Sequence, residues 1–193
     1  MKSLVIAIKM LLLFSILTGV IYPLIVTGMA QLVFNSKANG SLIEKDGIVA
    51  GSALIGQKFD TAIYFSSRPS ATSYNPLPSG GSNLGLTNSR LRELSEQRRH
   101  QFIAFNNLDT LTSVPSEMLF ASASGLDPHI SLRSALLQYE RISRVRRLNE
   151  SQKAKLKELI YSLTEKKQLF CLGEPRINVL QLNLSLDNLT ENK

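Results

Sequence analysis

The pattern of hydrophobic and polar positions divides the chain into an apolar N-terminal segment and a mixed remainder. Residues 10–34 carry almost only apolar side chains, and none of them is charged. At about 1.5 Å per residue, a helix of this length spans about 37 Å, more than the ~30 Å hydrocarbon layer of a bilayer. We therefore predict one transmembrane helix in a first unit, residues 1–34, with Pro23 tolerated inside it through a kink.

A cleaved signal peptide is the alternative for this segment. Lys2 and Lys9 form a positive N-terminal flank, and residues 28–30 fit a small-x-small cleavage site. The apolar run is longer than a signal peptide needs, which favours a retained anchor. The two lysines also predict, by the positive-inside rule, a cytoplasmic N-terminus and a translocated remainder of the chain.

The second unit, residues 35–193, mixes short strand patterns with helical ones and predicts a small α+β domain. Residues 41–50 read as a hairpin, because two apolar pairs flank Lys45-Asp46-Gly47. Residues 66–88 are rich in Ser, Pro, Gly and Asn and predict a long loop. Three helices and a strand follow from the remaining periodicity: helices over 89–107, 131–147 and 150–164, and a strand over 118–122.

Cap residues and apolar faces add detail to these helices. Asn88 is the expected N-cap of the first, and Asn149 with Gln152 forms a capping box for the third. Residues 179–186 alternate like a strand, but Asn178 is equally placed to cap a helix there, so both remain open. The expected apolar face of the first helix consists of Leu91, Leu94, Phe102 and Phe105.

Composition excludes several kinds of site. The single cysteine, Cys171, rules out an intramolecular disulfide and a multi-cysteine zinc site, and its apolar neighbours predict that it is buried. Two histidines, His100 and His129, are too few for a histidine-based metal cage.

The net charge of +7 concentrates partly in one basic run. The run has few aromatic neighbours and no nucleic-acid motif, so we expect no nucleic-acid partner. We interpret it as a solvated helix face, or as one that faces acidic lipid or an acidic partner. Its members are Arg141, Arg144, Arg146, Arg147, Lys153, Lys155 and Lys157.

Two catalytic motifs fail on inspection. Residues 51–58 resemble a phosphate-binding P-loop, but Gln57 stands where the lysine is needed and Lys58 where the Ser or Thr is needed. Ser124, Asp127 and His129 suggest a hydrolase, yet they lack the G-x-S-x-G elbow, so a fixed turn is the better interpretation. We expect no catalytic residue and no ATP hydrolysis by this chain alone.

Two features remain as candidate contact sites. Adjacent glycines in one loop expose backbone N–H groups that can contact a phosphate or a partner chain, with a mobile turn as the alternative. That loop comprises Ser79, Gly80, Gly81, Ser82 and Asn83. In the apolar helix, small or polar residues recur every four positions and so predict a face for packing on a partner helix. That stripe comprises Ser15, Gly19, Pro23, Thr27 and Gln31.

Six sequence blocks, taken in order, resemble one family: the KdpC family, the C subunits of bacterial Kdp potassium-transporting P-type ATPases. The resemblance covers nearly the whole chain, although residues 107–117 match no block of it. The blocks are residues 18–23, 51–57, 64–71, 79–85, 123–131 and 172–180.

The resemblance implies a one-span accessory subunit in the bacterial inner membrane, needed for assembly of an ATP-driven potassium uptake pump. It implies membrane lipid and two protein partners, a potassium-channel-like subunit and a P-type ATPase subunit. It also implies a rise in the ATP affinity of that ATPase subunit. ATP would act through the catalytic subunit, with no cofactor bound firmly here and with potassium as the transported ion.

Two points stay open at this stage. The glycine loop resembles the signature loop of ABC ATPases, but a translocated domain has no access to ATP, and we favour the topology. A membrane-tethered hydrolase or a ligand-binding domain acting alone is the alternative function.

Overall fold

The computed structural model describes residues 1–191 and begins with one long helix. Helix α1 (Lys2–Ile16) and helix α2 (Tyr22–Val33) are joined by a π-helical turn, Leu17–Ile21. Within the described residues, this is the one helix long and apolar enough to cross a membrane, and none of its residues is buried. The predicted apolar helix is confirmed, and it begins at Lys2, earlier than predicted.

The π-turn lies next to Pro23. Proline has no N–H, so the carbonyl of Gly19, four residues earlier, loses its usual helical donor. Tyr22 N–H reaches back to Leu17 C=O, the five-residue spacing of a π-helix. The helix thus accommodates the proline by a wider turn in its middle.

A short helix and a hairpin follow the membrane helix. Helix α3 (Asn35–Ala38) leads into strand β1 (Leu42–Lys45), which pairs antiparallel with strand β2 (Ile48–Ser52). Asp46 and Gly47 connect the strands with φ of 54° and 76°. Positive φ at both central residues defines a type I′ turn, which matches the twist of a hairpin. The predicted hairpin is confirmed.

The three predicted helices are present, and two of their caps form as expected. Asn88 Oδ1 accepts a hydrogen bond from Arg90 N–H, and Asn149 and Gln152 exchange the two hydrogen bonds of a capping box. The helices are α4 (Ser89–Asn106), α5 (Leu132–Val145) and α6 (Glu150–Ser162).

The C-terminal segment, left open between strand and helix, is a helix. Strand β3 (His129–Ile130) pairs antiparallel with strand β4 (Ile177–Asn178), and helix α7 (Val179–Glu191) follows directly. Asn178 Oδ1 accepts from Gln181 N–H at 3.1 Å, as an N-cap does. Val179, Leu182 and Leu186 lie on one face of this helix and are all buried, although the same segment also alternates like a strand in sequence.

Two predictions about packing are wrong. Residues 118–122 form no strand, because Ser116–Met118 makes a 3₁₀ turn that places the Met118 side chain in the core. On the expected apolar face of α4, Phe102 is buried as predicted and Leu91 and Leu94 are half-buried, but Phe105 is 40% exposed. Ile103 is buried next to Phe102, so the helix is rotated relative to the predicted face at this end.

The prediction that Cys171 is buried is also wrong. Cys171 is exposed, near the end of a hairpin arm, residues 165–176, that lies between α6 and β4 in the chain. Its apolar neighbours are exposed with it, because the chain reverses there and leaves no core for them to contact. An apolar sequence run therefore did not indicate burial.

The core forms where α4, α5, α6 and α7 pack together with the loops that join them. It combines the aromatic ring of Phe65 with the apolar faces of the helices and the small β3–β4 sheet. Its most completely buried apolar side chains are Phe65, Ile130, Ala135, Ile142, Leu156, Ile160, Ile177, Leu182 and Leu186.

Residues 62–66 cross this core without belonging to any helix or sheet. Backbone groups buried in this way need hydrogen-bond partners. Arg141 of α5 supplies three donors: its guanidinium binds the carbonyls of Ala62 and Tyr64, the latter at 3.0 Å, and Asn106 Oδ1 at 2.9 Å. The Arg141 guanidinium also lies 4.4 Å from the ring centre of Phe105.

Two side-chain amides make further contacts to this segment. Gln138 Oε1 accepts from Ser66 N–H at 2.7 Å, and its Nε2 donates to Ser66 C=O at 3.3 Å. Asn183 of α7 does the same for Phe65, at 2.8 and 3.0 Å. We call Arg141, Gln138 and Asn183 the polar clasp. The polar clasp provides the backbone hydrogen bonds that neighbouring strands would provide in a sheet.

The clasp contains a buried charge that faces carbonyl and amide oxygens. Arg141 is 1% exposed. Burial lowers the pKa of Arg141 to about 10, so the guanidinium stays charged at neutral pH. Carbonyl and amide oxygens and an aromatic face offset the cost of removing it from water.

The basic run is therefore not one solvated face. Arg141 is buried, and Arg146 pairs with Asp187 at 2.7 Å and donates to Ile63 C=O at 2.8 Å. Arg144 and Arg147 are exposed. The interpretation of the run as a single exposed surface is wrong at the two positions whose long side chains hold residues 62–66.

We expect Arg141→Met to lower the free energy of unfolding by at least about 3 kcal/mol, because the carbonyls of Ala62 and Tyr64 lose a charged donor. Urea titration of the full chain in mild detergent, followed by circular dichroism, measures this. Arg144→Met, an exposed change on the same helix, is the control and should stay within about 0.5 kcal/mol. Equal midpoints for the two variants would contradict a stabilising role of the clasp.

Candidate functional site

Loops that are distant in sequence meet on residues 122–127. Three backbone hydrogen bonds hold them there, and each comes from a different part of the chain. They run from Gly56 N–H to Leu126 C=O (2.7 Å), from Gly80 N–H to Ser124 C=O (2.9 Å) and from Ser122 N–H to Pro69 C=O (3.2 Å). We call this convergence the loop junction.

Two glycines make the loop junction possible. A Cβ at Gly56 would lie 2.6 Å from the carbonyl oxygen of Asp127, closer than side chains come to backbone. Gly125 has φ of +72°, and a Cβ there would lie 2.6 Å from Thr72 Oγ1 and 2.9 Å from Gly80 C=O. Larger residues at either position would separate the loops.

The predicted glycine loop belongs to this junction. The Gly80 N–H donates a hydrogen bond to Ser124 C=O, and a Cβ built at Gly81 would lie 3.2 Å from the carbonyl oxygen of Ala123. The flanking residues Ser79, Ser82 and Asn83 are exposed. The close backbone approach expected of these glycines is made to this same chain, and contact with a phosphate or a partner stays a prediction for Ser79, Ser82 and Asn83.

A charged cluster closes one side of the junction. Arg68 Nη1 lies 2.6 Å from Asp127 Oδ2, and Asp127 Oδ1 accepts from His129 N–H at 3.0 Å. Burial alone would raise the pKa of Asp127. Hydrogen bonds from the ring and backbone of His129 and the Arg68 guanidinium outweigh burial and lower the pKa to about 2. The carboxylate is thus ionised and fully engaged at neutral pH.

Arg68 separates two cavities. A polar cleft of about 340 Å³ lies between Asp127, His129 and the base of the hairpin arm at Glu165 and Arg176. A larger groove of about 810 Å³ lies on the other side. The residues that line the groove include the apolar side chains of Phe59, Phe102, Phe105 and Met118 and the charged side chains of Lys58, Asp60, Arg68 and Arg98.

The arrangement suits binding better than catalysis. Ser124 Oγ accepts from Leu126 N–H at 3.1 Å, and Asp127 serves its own turn and Arg68. The interpretation of this segment as a fixed turn, with Asp127 hydrogen-bonded to His129, is confirmed. Across residues 1–191, no group of three or more His, Cys, Asp or Glu side chains is placed to hold a metal ion.

Residues 51–58, which resemble a P-loop in sequence, form the end of a strand and a turn. Gly51 lies in β2, and Gln57 Nε2 donates to Ala50 C=O at 3.1 Å. Lys58 forms an exposed ion pair with Asp60 at 2.6 Å. A strand followed by a phosphate-binding loop and a helix, as a P-loop requires, does not occur here.

The predicted helix stripe is open along its length. Ser15, Gly19, Pro23, Thr27 and Gln31 are exposed, and no atom approaches a Cβ built at Gly19 within 4 Å. The Gln31 amide hydrogen-bonds to Asn35 and Asn39 at 3.2–3.3 Å, so it links the end of the membrane helix to α3. At the other four positions, Ser15, Gly19, Pro23 and Thr27, no described residue of this chain covers the helix.

Sequence reasoning missed the Arg68–Asp127 pair, the polar clasp and the role of Glu117. Glu117 Oε1 accepts from Ser131 N–H at 2.8 Å and from the Ser134 hydroxyl, at the start of α5. The partners of Asp127 and Glu117 lie 59 and 14 residues away. One signal was available in the sequence. Glycine-containing blocks at residues 51–57 and 79–85 flank the segment that contains Pro69 and Ser70, and glycine permits close packing of backbone.

The comparisons with known proteins identify the family. A family model described as "KdpC: K+-transporting ATPase, c chain" matches residues 4–188. The chain is similar to proteins named potassium-transporting ATPase KdpC subunit. One from Geobacter sulfurreducens is 48% identical over 98% of this chain and 99% of its own length.

Two further relatives carry the same name. The protein from Photorhabdus laumondii is 46% identical over 97% of this chain and 96% of its own length. The protein from Mycobacterium bovis is 45% identical over 97% and 99%. Both levels are far above what a shared fold alone would require, and the matches include the membrane helix and the domain. The chain therefore belongs to the KdpC family of K+-transporting ATPase c chains.

Proposed function

We propose that this chain is a non-catalytic accessory subunit that holds together an ATP-driven, high-affinity potassium uptake pump of the bacterial inner membrane. Family membership across residues 4–188 carries the proposal. The fold agrees with an accessory role, since one membrane helix cannot form a conduction path. The domain also offers cavities and a loop junction rather than an assembled catalytic group.

The membrane helix is proposed to dock on a larger membrane subunit through its stripe. Lipid tails provide no hydrophobic force between helices, so close backbone approach drives their association. Gly19 lies in the π-turn, where the helix is locally wider, and no atom of the described residues lies within 4 Å of a Cβ built there. Ser15 and Thr27 extend the same face toward both ends of the helix.

The domain is proposed to contact the partner subunits through the loop junction and the cavities beside it. The junction joins residues 56, 69, 80 and 122–126 by backbone hydrogen bonds, so it presents a preformed surface. A preformed surface binds with a smaller loss of conformational entropy. The expected partners are the potassium-channel-like subunit and the P-type ATPase subunit.

We place the N-terminus in the cytoplasm and the domain in the periplasm. Lys2 and Lys9 precede the helix, whereas Lys37 and Lys45 follow it together with Glu44 and Asp46. A domain in the periplasm has no access to ATP. A rise in the ATP affinity of the pump would then be transmitted through the catalytic subunit, by contacts within the membrane.

Purification of a tagged full chain in mild detergent tests the proposal. We expect two large membrane proteins to copurify, identified by mass spectrometry as a channel-like subunit and a P-type ATPase. Hydrolytic activity or small-ligand binding by the chain alone, without copurifying subunits, would instead support the tethered hydrolase or binding domain.

We expect Gly19→Leu to reduce recovery of the partner subunits and growth at limiting potassium, because a bulky side chain keeps two helices apart. Leu13→Ala changes a different face of the same helix and is the matched control. Thr27→Val should have a smaller effect, because one interhelical hydrogen bond contributes only about 0.6 kcal/mol. Unchanged copurification and growth for Gly19→Leu would show that the stripe is not the docking face.

Alkaline phosphatase fused after Lys193 should be active, because the enzyme needs the oxidising periplasm and the flanking lysines direct the domain there. A fluorescent protein fused at the same position serves as the opposite reporter and should stay dark. An inactive phosphatase together with a bright fluorescent protein would place the domain in the cytoplasm and restore direct contact with ATP.

A further inference from the structure

A hairpin arm, residues 165–176, projects from the domain between α6 and β4. At its base, Glu165 and Arg176 exchange two backbone hydrogen bonds of 2.8 and 3.2 Å and form an ion pair at 2.9 Å. Near its end, Gln168 and Leu172 exchange two more, of 2.9 and 2.8 Å. The arm is therefore a closed hairpin, and these bonds hold its two sides together up to the turn.

The end of the arm is apolar and fully presented to its surroundings. Phe170 is 99% exposed, Leu169 79% and Leu172 56%. Leu169 and Phe170 have φ of 49° and 64°, a left-handed conformation that bulky residues rarely adopt. Three large apolar side chains held outward on a strained turn are unusual on a soluble surface. We call Leu169, Phe170 and Leu172 the apolar tip.

Basic residues precede the apolar tip. Lys166 and Lys167 are adjacent, exposed and directly before Gln168. Glu165 is paired with Arg176, which leaves Glu174 as the acidic residue opposing the two lysines within the arm. An apolar end flanked by lysines is typical of segments that bind the interface of an anionic bilayer. The centres of protein–protein interfaces, by contrast, are depleted in lysine.

The base of the arm is connected to the exit of the membrane helix. Asn178 Nδ2 donates to Ala53 C=O at 2.7 Å, and Ala53 N–H donates to Ser41 C=O at 3.0 Å. Ser41 follows soon after Val33, the last residue of α2, with α3 between them. Leu172 is six residues from Asn178, so it lies within about 20 Å of Asn178, the residue that connects the arm to the Ala53–Ser41 contact.

We propose that the apolar tip inserts into the headgroup–acyl boundary of the bilayer that holds the membrane helix. The three side chains would enter the boundary, and Lys166 and Lys167 would contact lipid phosphates. A second attachment point would fix how the domain stands over the membrane. The inference rests on the membrane anchor of the proposed function, but not on which side of the membrane the domain lies.

The single cysteine provides the test, because Cys171 lies in the turn itself and is exposed. The full chain is labelled at Cys171 with bimane and reconstituted in bilayer discs of phosphatidylcholine and phosphatidylglycerol with brominated acyl chains. We expect strong quenching by the brominated lipid and little quenching by aqueous iodide. The control carries Cys171→Ser and Ser151→Cys, which moves the label to the exposed start of α6, and should show the reverse.

Two variants separate the arm from the dye. Leu169→Ser with Phe170→Ser should abolish lipid quenching although the dye remains on Cys171, which excludes insertion by the dye alone. Lys166→Gln and Lys167→Gln should each lower the ratio of inserted to free tip by about fivefold in anionic discs. In discs of phosphatidylcholine alone, these two variants should match the parent chain.

Three results would overturn the proposal. Quenching by iodide alone would place the apolar tip in water. Protection from both quenchers after assembly with the other pump subunits would show that a protein covers it. Failure of the chain to remain with the discs on flotation would overturn the membrane anchor, and the inference with it, so the two failures are distinguishable.

Discussion

The domain depends on how the backbone of residues 62–66 is hydrogen-bonded where Phe65 enters a core that has almost no sheet. A central strand would normally receive its hydrogen bonds from neighbouring strands, but both sheets of the described structure have only two short strands, and neither includes residues 62–66. Arg141, Gln138 and Asn183 supply those bonds from two helices. Removal of any of them leaves buried backbone groups without partners, which is more costly than the loss of an exposed contact.

The same segment sets the position of the candidate contact surface. Phe65 fills the core, and within a few residues the chain reaches Arg68 and Pro69 at the loop junction. A shift of the clasped segment would therefore displace Arg68 from Asp127 and open the boundary between the two cavities. Fold stability and the surface proposed to meet the partner subunits are in this way coupled through a few residues of backbone.

Local sequence signals predicted much of this fold. Asn88 and Asn149 cap their helices, and Asp46-Gly47 makes its turn, because each contact lies within a few residues. The clasp could not be predicted in this way, since Asn183 and Phe65 are 118 residues apart. Phe105 and Cys171 show the opposite error, because apolar character favours burial only where other elements supply a surface to pack against. The candidate contact loop was found from its glycines, but its partner within the chain, residues 122–125, was not.

Hydrogen exchange at the amides of Phe65 and Ser66 tests the central role of the clasp most directly. Both amides lie outside regular secondary structure and donate to buried side-chain oxygens of Asn183 and Gln138. If the clasp organises the domain, these two amides exchange only on global unfolding, as slowly as the interior amides of α5 and α7. Exchange at the rate of the exposed loop residues around Asn75 would show that the segment opens independently and would contradict the account.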